Sequence, residues 1–251
     1  MCETRKRVQF ECRDQHLYRM ASRSSLNMRL ASLFSGGKDS TYAAHLASLG
    51  GDEVAYLVTM QSQREDSWMF HTVNVHLAPT LAQALGIESV TVETPGEKER
   101  ELDDLRRALE GLDIDGLVTG AVASTYQKSR VDRICDELGL EHVAPLWGRS
   151  SPELLDEVLE AGMEIIITAV AARGLDEGWL GRALDQAASE ELKRLSLRYG
   201  FDVCGEGGEM ETLVLDAPWF GSRLEIVRAR KIWDGVRGRY LVEEARLNPK
   251  V

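Results

Sequence analysis

A doubly wound parallel α/β sheet followed by a smaller C-terminal α+β domain is the fold class predicted for this 251-residue chain. Three observations predict it. From Met28 to about residue 170, short apolar runs alternate with amphipathic stretches. A glycine-rich turn joins the first run to the first amphipathic stretch, and the rhythm changes after residue 170. Strand–helix alternation of this kind builds parallel sheets with helices on both faces.

The expected strands are 29–34, 53–60, 87–92, 115–120, 141–146 and 163–170, with helices at 39–49, 70–85, 97–110, 124–138 and 152–161 between them. In helix 124–138, Val131, Ile134, Cys135 and Leu138 recur at helical spacing with charges opposite. Helix 152–161 has Ser151 as its expected N-cap, Pro152 at its first position and Gly162 just past its end. Beyond residue 170, a helix over 182–199 carries Leu184, Ala188, Leu192 and Leu195 on one face and stops at Gly200. Strands are expected at 212–216, 223–233 and 239–243. The domain reading is a tail over 1–28, a nucleotide-binding domain over 29–147 and a substrate-binding domain over 148–251. The tail shows no periodicity before Met28. It is either a basic arm that touches a partner or an upstream start.

Composition narrows the function classes. Charged residues are 28% and hydrophobic residues 43%, an ordinary globular balance. The net charge is −11; residues 1–28 carry six basic and three acidic side chains, leaving 29–251 at −14. So acidic a body offers little to a phosphate backbone, which makes nucleic acid an unfavoured partner. The longest apolar stretch, Ile165 to Ala172, falls far short of the ~20 residues that span a bilayer, so no membrane partner is expected. Cys2, Cys12, Cys135 and Cys204 form no C-x-x-C pair, and with no signal-peptide run a reducing cytoplasm is the expected location. His16, His45, His71, His76 and His142 lack zinc-ligand spacing with them, so no metal held by protein alone is expected.

Two segments carry chemistry. The first is Ser35-Gly36-Gly37-Lys38-Asp39-Ser40, directly after the first strand and opening the first helix. That placement is the carboxyl edge of the sheet, where α/β ligands bind. Glycines let backbone amides approach an anion, and the helix N-terminus adds donors and positive dipole. Ser35 and Ser40 add hydroxyls and Lys38 a cation; Asp39 can cap the helix or help position Mg2+. It is not a Walker A loop, because Ser32 stands where that pattern needs glycine and Asp39 where it needs Ser or Thr. The second segment, Gly205-Glu206-Gly207-Gly208-Glu209-Met210-Glu211-Thr212, places three carboxylates among glycines. They could orient a cationic substrate, accept protons from ammonia or hold Mg2+; the alternative is a solvated acidic loop before an edge strand.

The first loop resembles the S-G-G-x-D-S loop of the ATP pyrophosphatases, and the resemblance implies an adenine nucleotide alpha-hydrolase-like, Rossmann-like fold. The second, continuing Leu213-Val-Leu-Asp-Ala-Pro218, makes the pair similar to the diphthine–ammonia ligase family over roughly 29–245. Supporting segments are Trp68 to His71, Gly120 to Val131 and Pro145 to Trp147; Met210 and Thr125 stand where the family often has tyrosine and aspartate. The resemblance implies amidation of diphthine on translation elongation factor 2. ATP activates the carboxylate as an acyl-adenylate, ammonia displaces AMP, and AMP and pyrophosphate are released. It implies Lys38, Asp39, Glu206 and Glu209 as catalytic groups, and Ser35 to Ser40 with Met60 and Gly120 as the ATP site, Val58 to Met60 facing Gly120 and Ala121 across the adenine. Substrate contacts are implied for Tyr126, Gln127, Arg130, Glu206, Gly207, Gly208, Glu209, Glu211 and Thr212, the carboxylates as hosts for the trimethylammonium group of diphthine. ATP and Mg2+ are the implied cofactors, elongation factor 2 and ammonia the partners, and a homodimer stays open. The competing readings are a tRNA-thiolating or other ATP pyrophosphatase, which the missing C-x-x-C and acidic body oppose, and an ATP-binding sensor, which has no need of a second polar constellation.

Overall fold

The computed structural model describes residues 27–63 and 73–250; the expected tail and the Trp68 to His71 segment lie outside these residues, apart from Asn27 and Met28. Five parallel strands form the first sheet: β1 (Arg29–Leu33), β2 (Glu53–Ser62), β3 (Glu88–Thr94), β4 (Gly116–Val118) and β5 (Glu141–Val143), in the order β3-β2-β1-β4-β5. Strand β1 is central, and its side chains alternate between two cores. Leu30 and Phe34 point to one, with Tyr42, Ala43 and Ala47 of α1 (Lys38–Leu49) and Leu81 and Ala82 of α2 (Ala78–Leu85). Ala31 points to the other, with Leu102, Leu105 and Leu109 of α3 (Lys98–Glu110) and Val131, Ile134 and Cys135 of α4 (Thr125–Leu138). Helices on both faces are the doubly wound arrangement. The order reverses on either side of β1, which opens a crevice at its carboxyl end.

After α5 (Ser151–Glu160) the chain leaves this sheet. Strand β6 (Glu164–Val170) pairs antiparallel with β7 (Met210–Asp216) and with β9 (Gly238–Pro249), and β9 pairs with β8 (Ser222–Trp233). The sixth expected strand therefore belongs to the second sheet rather than the parallel run. An apolar strand buried on both faces reads the same in either setting. Ser150, not Ser151, is the N-cap residue of α5, so Pro152 sits at its second position. Between β6 and β7 runs α6 (Gln186–Tyr199), capped by Asp185, whose Oδ1 accepts the Ala188 N–H at 2.8 Å, and ended by Gly200 in the left-handed region. The two sheets share one core: Ile165, Ile167, Leu213 and Val214 join the cluster that contains Leu30 and Phe34. Among the described residues no helix is long and apolar enough to cross a membrane.

Candidate active site

The loop after β1 is held from both sides. Phe34 N–H donates to the Val58 carbonyl and its own carbonyl accepts the Thr59 hydroxyl, each at 2.9 Å, which ties the exit of β1 to β2. Gly36 turns with φ of 79°, and its carbonyl accepts the Val214 N–H at 2.9 Å. The Lys38 N–H donates to Thr212 Oγ1 at 3.1 Å. A loop of the first sheet is thus laid along β7 of the second. Ser35 Oγ accepts the Gly37 N–H at 3.3 Å, and Ser40 Oγ accepts from Ser35 N–H and donates to the Gly37 carbonyl. Gly37 is the N-cap of α1 and brings no side chain to cover the first-turn amides, the arrangement an anion needs.

Lys38 turns away from solvent. It is 1% exposed, and its Nζ donates to Asp39 Oδ2 at 2.7 Å and to the Cys204 carbonyl at 2.6 Å. Burial alone would lower its pKa, but Asp39, Cys204 and Glu206 outweigh burial and raise it, so the ammonium stays charged. Asp39 Oδ1 is buried and has no hydrogen-bond partner among the described residues. Glu206 Oε2 accepts the N–H groups of Val122 at 3.3 Å and Ala123 at 3.0 Å. Burial, and then the neighbouring Asp39 charge, raise the Glu206 pKa; the two amides and Lys38 oppose this.

The acidic loop is organised by a residue the sequence pattern did not single out. Asp202 Oδ1 accepts the Cys204 N–H at 2.8 Å, and its own N–H donates to Glu209 Oε1 at 3.3 Å. Glu209 Oε2 accepts the Gly207 N–H at 2.7 Å. Glu209, expected beside the substrate, instead closes the loop on its own backbone. Gly205 has φ of 82° and lies so close to Met210 that a Cβ would sit 2.3 Å from the Met210 carbonyl oxygen.

One cleft opens where these parts meet. Ser35, Gly37, Lys38, Asp39, Ser40, Met60, Gly120, Gln127, Glu206 and Thr212 all line it, as do Val58 and Ala121. Glu209, Glu211, Gly207 and Gly208 are outside the lining, Glu211 lying on β7 opposite Ala169. Gln127 faces the cleft, but Tyr126 and Arg130 stack on each other, guanidinium 3.5 Å from the ring centroid, outside the lining. Among the described residues no cluster of three or more His, Cys, Asp or Glu side chains could hold a metal ion.

Residues 28–142 match the diphthamide synthase N-terminal domain and residues 150–247 the diphthamide synthase C-terminal domain. The chain belongs to the diphthamide synthase family. It is 36% identical over 220 residues to the diphthine–ammonia ligase of Bos taurus and 34% identical to that of Homo sapiens, covering 78% of this chain and 82% of each relative. Among solved structures, a predicted subunit of tRNA methyltransferase from Methanocaldococcus jannaschii aligns with a TM-score of 0.44 at 18% identity, covering 76% of this chain and 98% of the other.

In this diphthamide synthase chain the site depends on one close backbone approach. A Cβ on Gly120 would lie 2.7 Å from the Asp39 carbonyl carbon and from the Ser40 nitrogen. Gly120→Ala is therefore expected to push the start of α1 off β4, costing about 1–3 kcal/mol of stability and at least tenfold in Mg–ATP affinity. Thermal melting and calorimetric titration check this; an alanine variant that binds ATP like the parent would show that α1 has room to move. The structure also brings in groups the sequence reading passed over. Lys128 and Thr119 line the cleft, backed by Asp132 and His142. Lys128 and Asp132 are one helical turn apart on α4, while β4 and β5 lying side by side bring Thr119 to His142.

Proposed function

We propose that the chain is an ATP-dependent diphthine–ammonia ligase, converting diphthine on translation elongation factor 2 to diphthamide, with ammonia as nitrogen donor and AMP and pyrophosphate as products. The observation that carries this reading is the meeting of both motif loops in one cleft. Lys38 pins the Cys204 carbonyl, Thr212 caps the Lys38 amide, and Glu206 holds the amides beyond β4. An anion-binding helix start and a half-buried carboxylate then face the same space.

The division of labour follows from charge. Loop 35–40 and the first turn of α1 receive the phosphates, while Val58 and Met60 offer an apolar wall to the base. Domain 29–147 supplies these groups. Domain 148–251 supplies Glu206 and Met210, which complete the cleft, with Glu206 as the host for the trimethylammonium group. A carboxylate resists attack by ammonia, and adenylation turns its oxygen into a leaving group. The orphaned Asp39 Oδ1 suits Mg2+ shared with the phosphates, and such an ion would neutralise their charge. The thiol of Cys204 donates to the Ser151 carbonyl at 3.2 Å and burial pushes its pKa up to about 12, which disfavours a sulfur-carrying role for it. Elongation factor 2 as acceptor places the reaction in the cytoplasm.

The expected result is AMP formation that requires both ammonium and elongation factor 2 bearing diphthine, with the mass change of acid to amide on the modified histidine. AMP formation without the acceptor, or no mass change with it, would count against the ligase and for another ATP pyrophosphatase.

A further inference from the structure

Among the described residues, four charged side chains line the cleft: Lys38, Asp39, Glu206 and Lys128. Lys38 donates to Asp39 and to the Cys204 carbonyl, and its side chain is almost wholly buried away from a reactant. That leaves Lys128, among the described residues, as the cation open to an anionic reactant. It lies in the first turn of α4, with its side chain 28% exposed. Its Nζ donates to both Asp132 oxygens at 2.8 Å and sits 5.6 Å from the Trp147 ring centroid. An ammonium has three donors, so one N–H remains for a ligand. Asp132 is itself held, because His142 Nδ1 lies 2.6 Å from its Oδ1 and His142 Nε2 lies 2.8 Å from Thr119 Oγ1. The His142 side chain is 6% exposed, so the chain of contacts runs from the core to the cleft wall.

Sheet order decides which reactant Lys128 meets. Strand β2, with Val58 and Met60, flanks β1 on one side; β4 and β5, with Thr119 and His142, flank it on the other. With phosphates on loop 35–40 and the base between Val58–Met60 and Gly120–Ala121, the side of the cleft toward α4 is left for the second reactant. Glu206 is fixed to the amides of Val122 and Ala123, in the same β4–α4 connection that leads into Lys128. A carboxylate and an ammonium held by one segment match an acceptor that carries a quaternary cation and a carboxylate together.

We propose that Lys128 binds the carboxylate of the acceptor side chain, with Asp132, His142 and Thr119 as positioning residues; this rests on the ligase reading above. In the step it serves, a carboxylate oxygen forms a bond to the α-phosphorus and the bond to pyrophosphate breaks, the electron pair leaving with pyrophosphate. No proton moves. Lys128 lowers the cost of bringing that carboxylate beside phosphates of the same sign.

The test uses the full chain, with elongation factor 2 bearing diphthine as acceptor, ammonium in excess, and Lys128→Met and Lys128→Arg beside the parent. Lys128→Met keeps the stem over Trp147 and loses the charge; Lys128→Gln replaces it where the methionine variant does not fold. The expected result is a KM for the acceptor raised about 10–100-fold, the scale of losing a hydrogen bond to a charged group. Mg–ATP affinity by calorimetry should stay within about threefold, as for a substitution outside the nucleotide contacts, and arginine should restore most of the loss. An unchanged acceptor KM, or an ATP affinity that falls as far as the KM rises, overturns the assignment. A parent chain that makes no AMP with the acceptor overturns the ligase reading, and this assignment with it.

Discussion

Lys38→Ala is expected to cost the protein both stability and turnover. The substitution leaves the Cys204 carbonyl and the Asp39 carboxylate without their shared donor, at a position that is 1% exposed. Removing one member of a buried ion pair costs about 3–5 kcal/mol. For a chain of this length that is a fall in Tm of roughly 6–20 °C, at about 2–4 °C per kcal/mol. Its raised pKa fixes the pH range of the effect. The contribution is full below the ordinary lysine value and is lost only as pH rises through the higher folded value, so the loss of Tm should be flat across neutral pH. Turnover should fall about 10²–10³-fold, measured well below the variant's Tm, as for the loss of one preorganised electrostatic group. Because the Lys38 contact with the Cys204 carbonyl joins loop 35–40 to loop 202–209, the two losses should come together. A variant with the parent Tm would mean that the Cys204 contact carries no stability. One with parent turnover would show that the lysine only fastens the two loops.

The parts of this molecule that were legible in the sequence are those whose cause is local. Strand, Ser35-Gly-Gly-Lys-Asp-Ser40 and helix follow one another without a gap, so placement at a sheet edge and anion-binding character come from neighbours in the chain. Helix ends at Gly139 and Gly200 are likewise local, each glycine taking the left-handed conformation that closes the last turn. Legibility ends where a partner from far away decides. Glu206 and Glu209 are alike as letters. Which of them faces the cleft is set by Asp202 beneath the loop and by the tight contact of Gly205 with Met210. The triplet Thr119, Asp132 and His142 has no spacing rule, because parallel pairing of β4 with β5 brings Thr119 to His142, and the packing of α4 on β5 brings Asp132 to the same ring. Lys38 was readable as a cation but not as a buried one, since burial comes from a loop 166 residues further on.

Glu206→Gln is expected to separate stability from catalysis, moving them in opposite directions. The carboxylate accepts two amides through one oxygen, and glutamine can present its carbonyl oxygen to the same Val122 and Ala123 N–H groups. What the substitution removes is charge. Burial and the nearby Asp39 raise the Glu206 pKa, so the folded state holds its proton more tightly than the unfolded chain does. Stability from a carboxyl of this kind is present below the ordinary glutamate pKa and is lost as pH rises through the folded value. Above that value the ionised group costs the fold stability, which a neutral amide does not. The Tm of Glu206→Gln should equal or exceed that of the parent, with the difference closing as pH falls. Amidation should drop by at least tenfold, since a desolvated ion contact is worth a few kcal/mol where an exposed one is worth little. Mg–ATP affinity should hold or tighten, because a negative charge has left the space that receives the phosphates. Melting curves across pH, calorimetry with Mg–ATP and the amidation rate decide among three outcomes. A lower Tm with normal amidation makes Glu206 a strut for residues 122 and 123. Weaker Mg–ATP binding with normal amidation at saturating ATP makes it part of the metal–nucleotide site. Only a kept or raised Tm, kept ATP affinity and lost amidation place this carboxylate on the cationic acceptor, where a fold that gains from its removal would otherwise have no use for it.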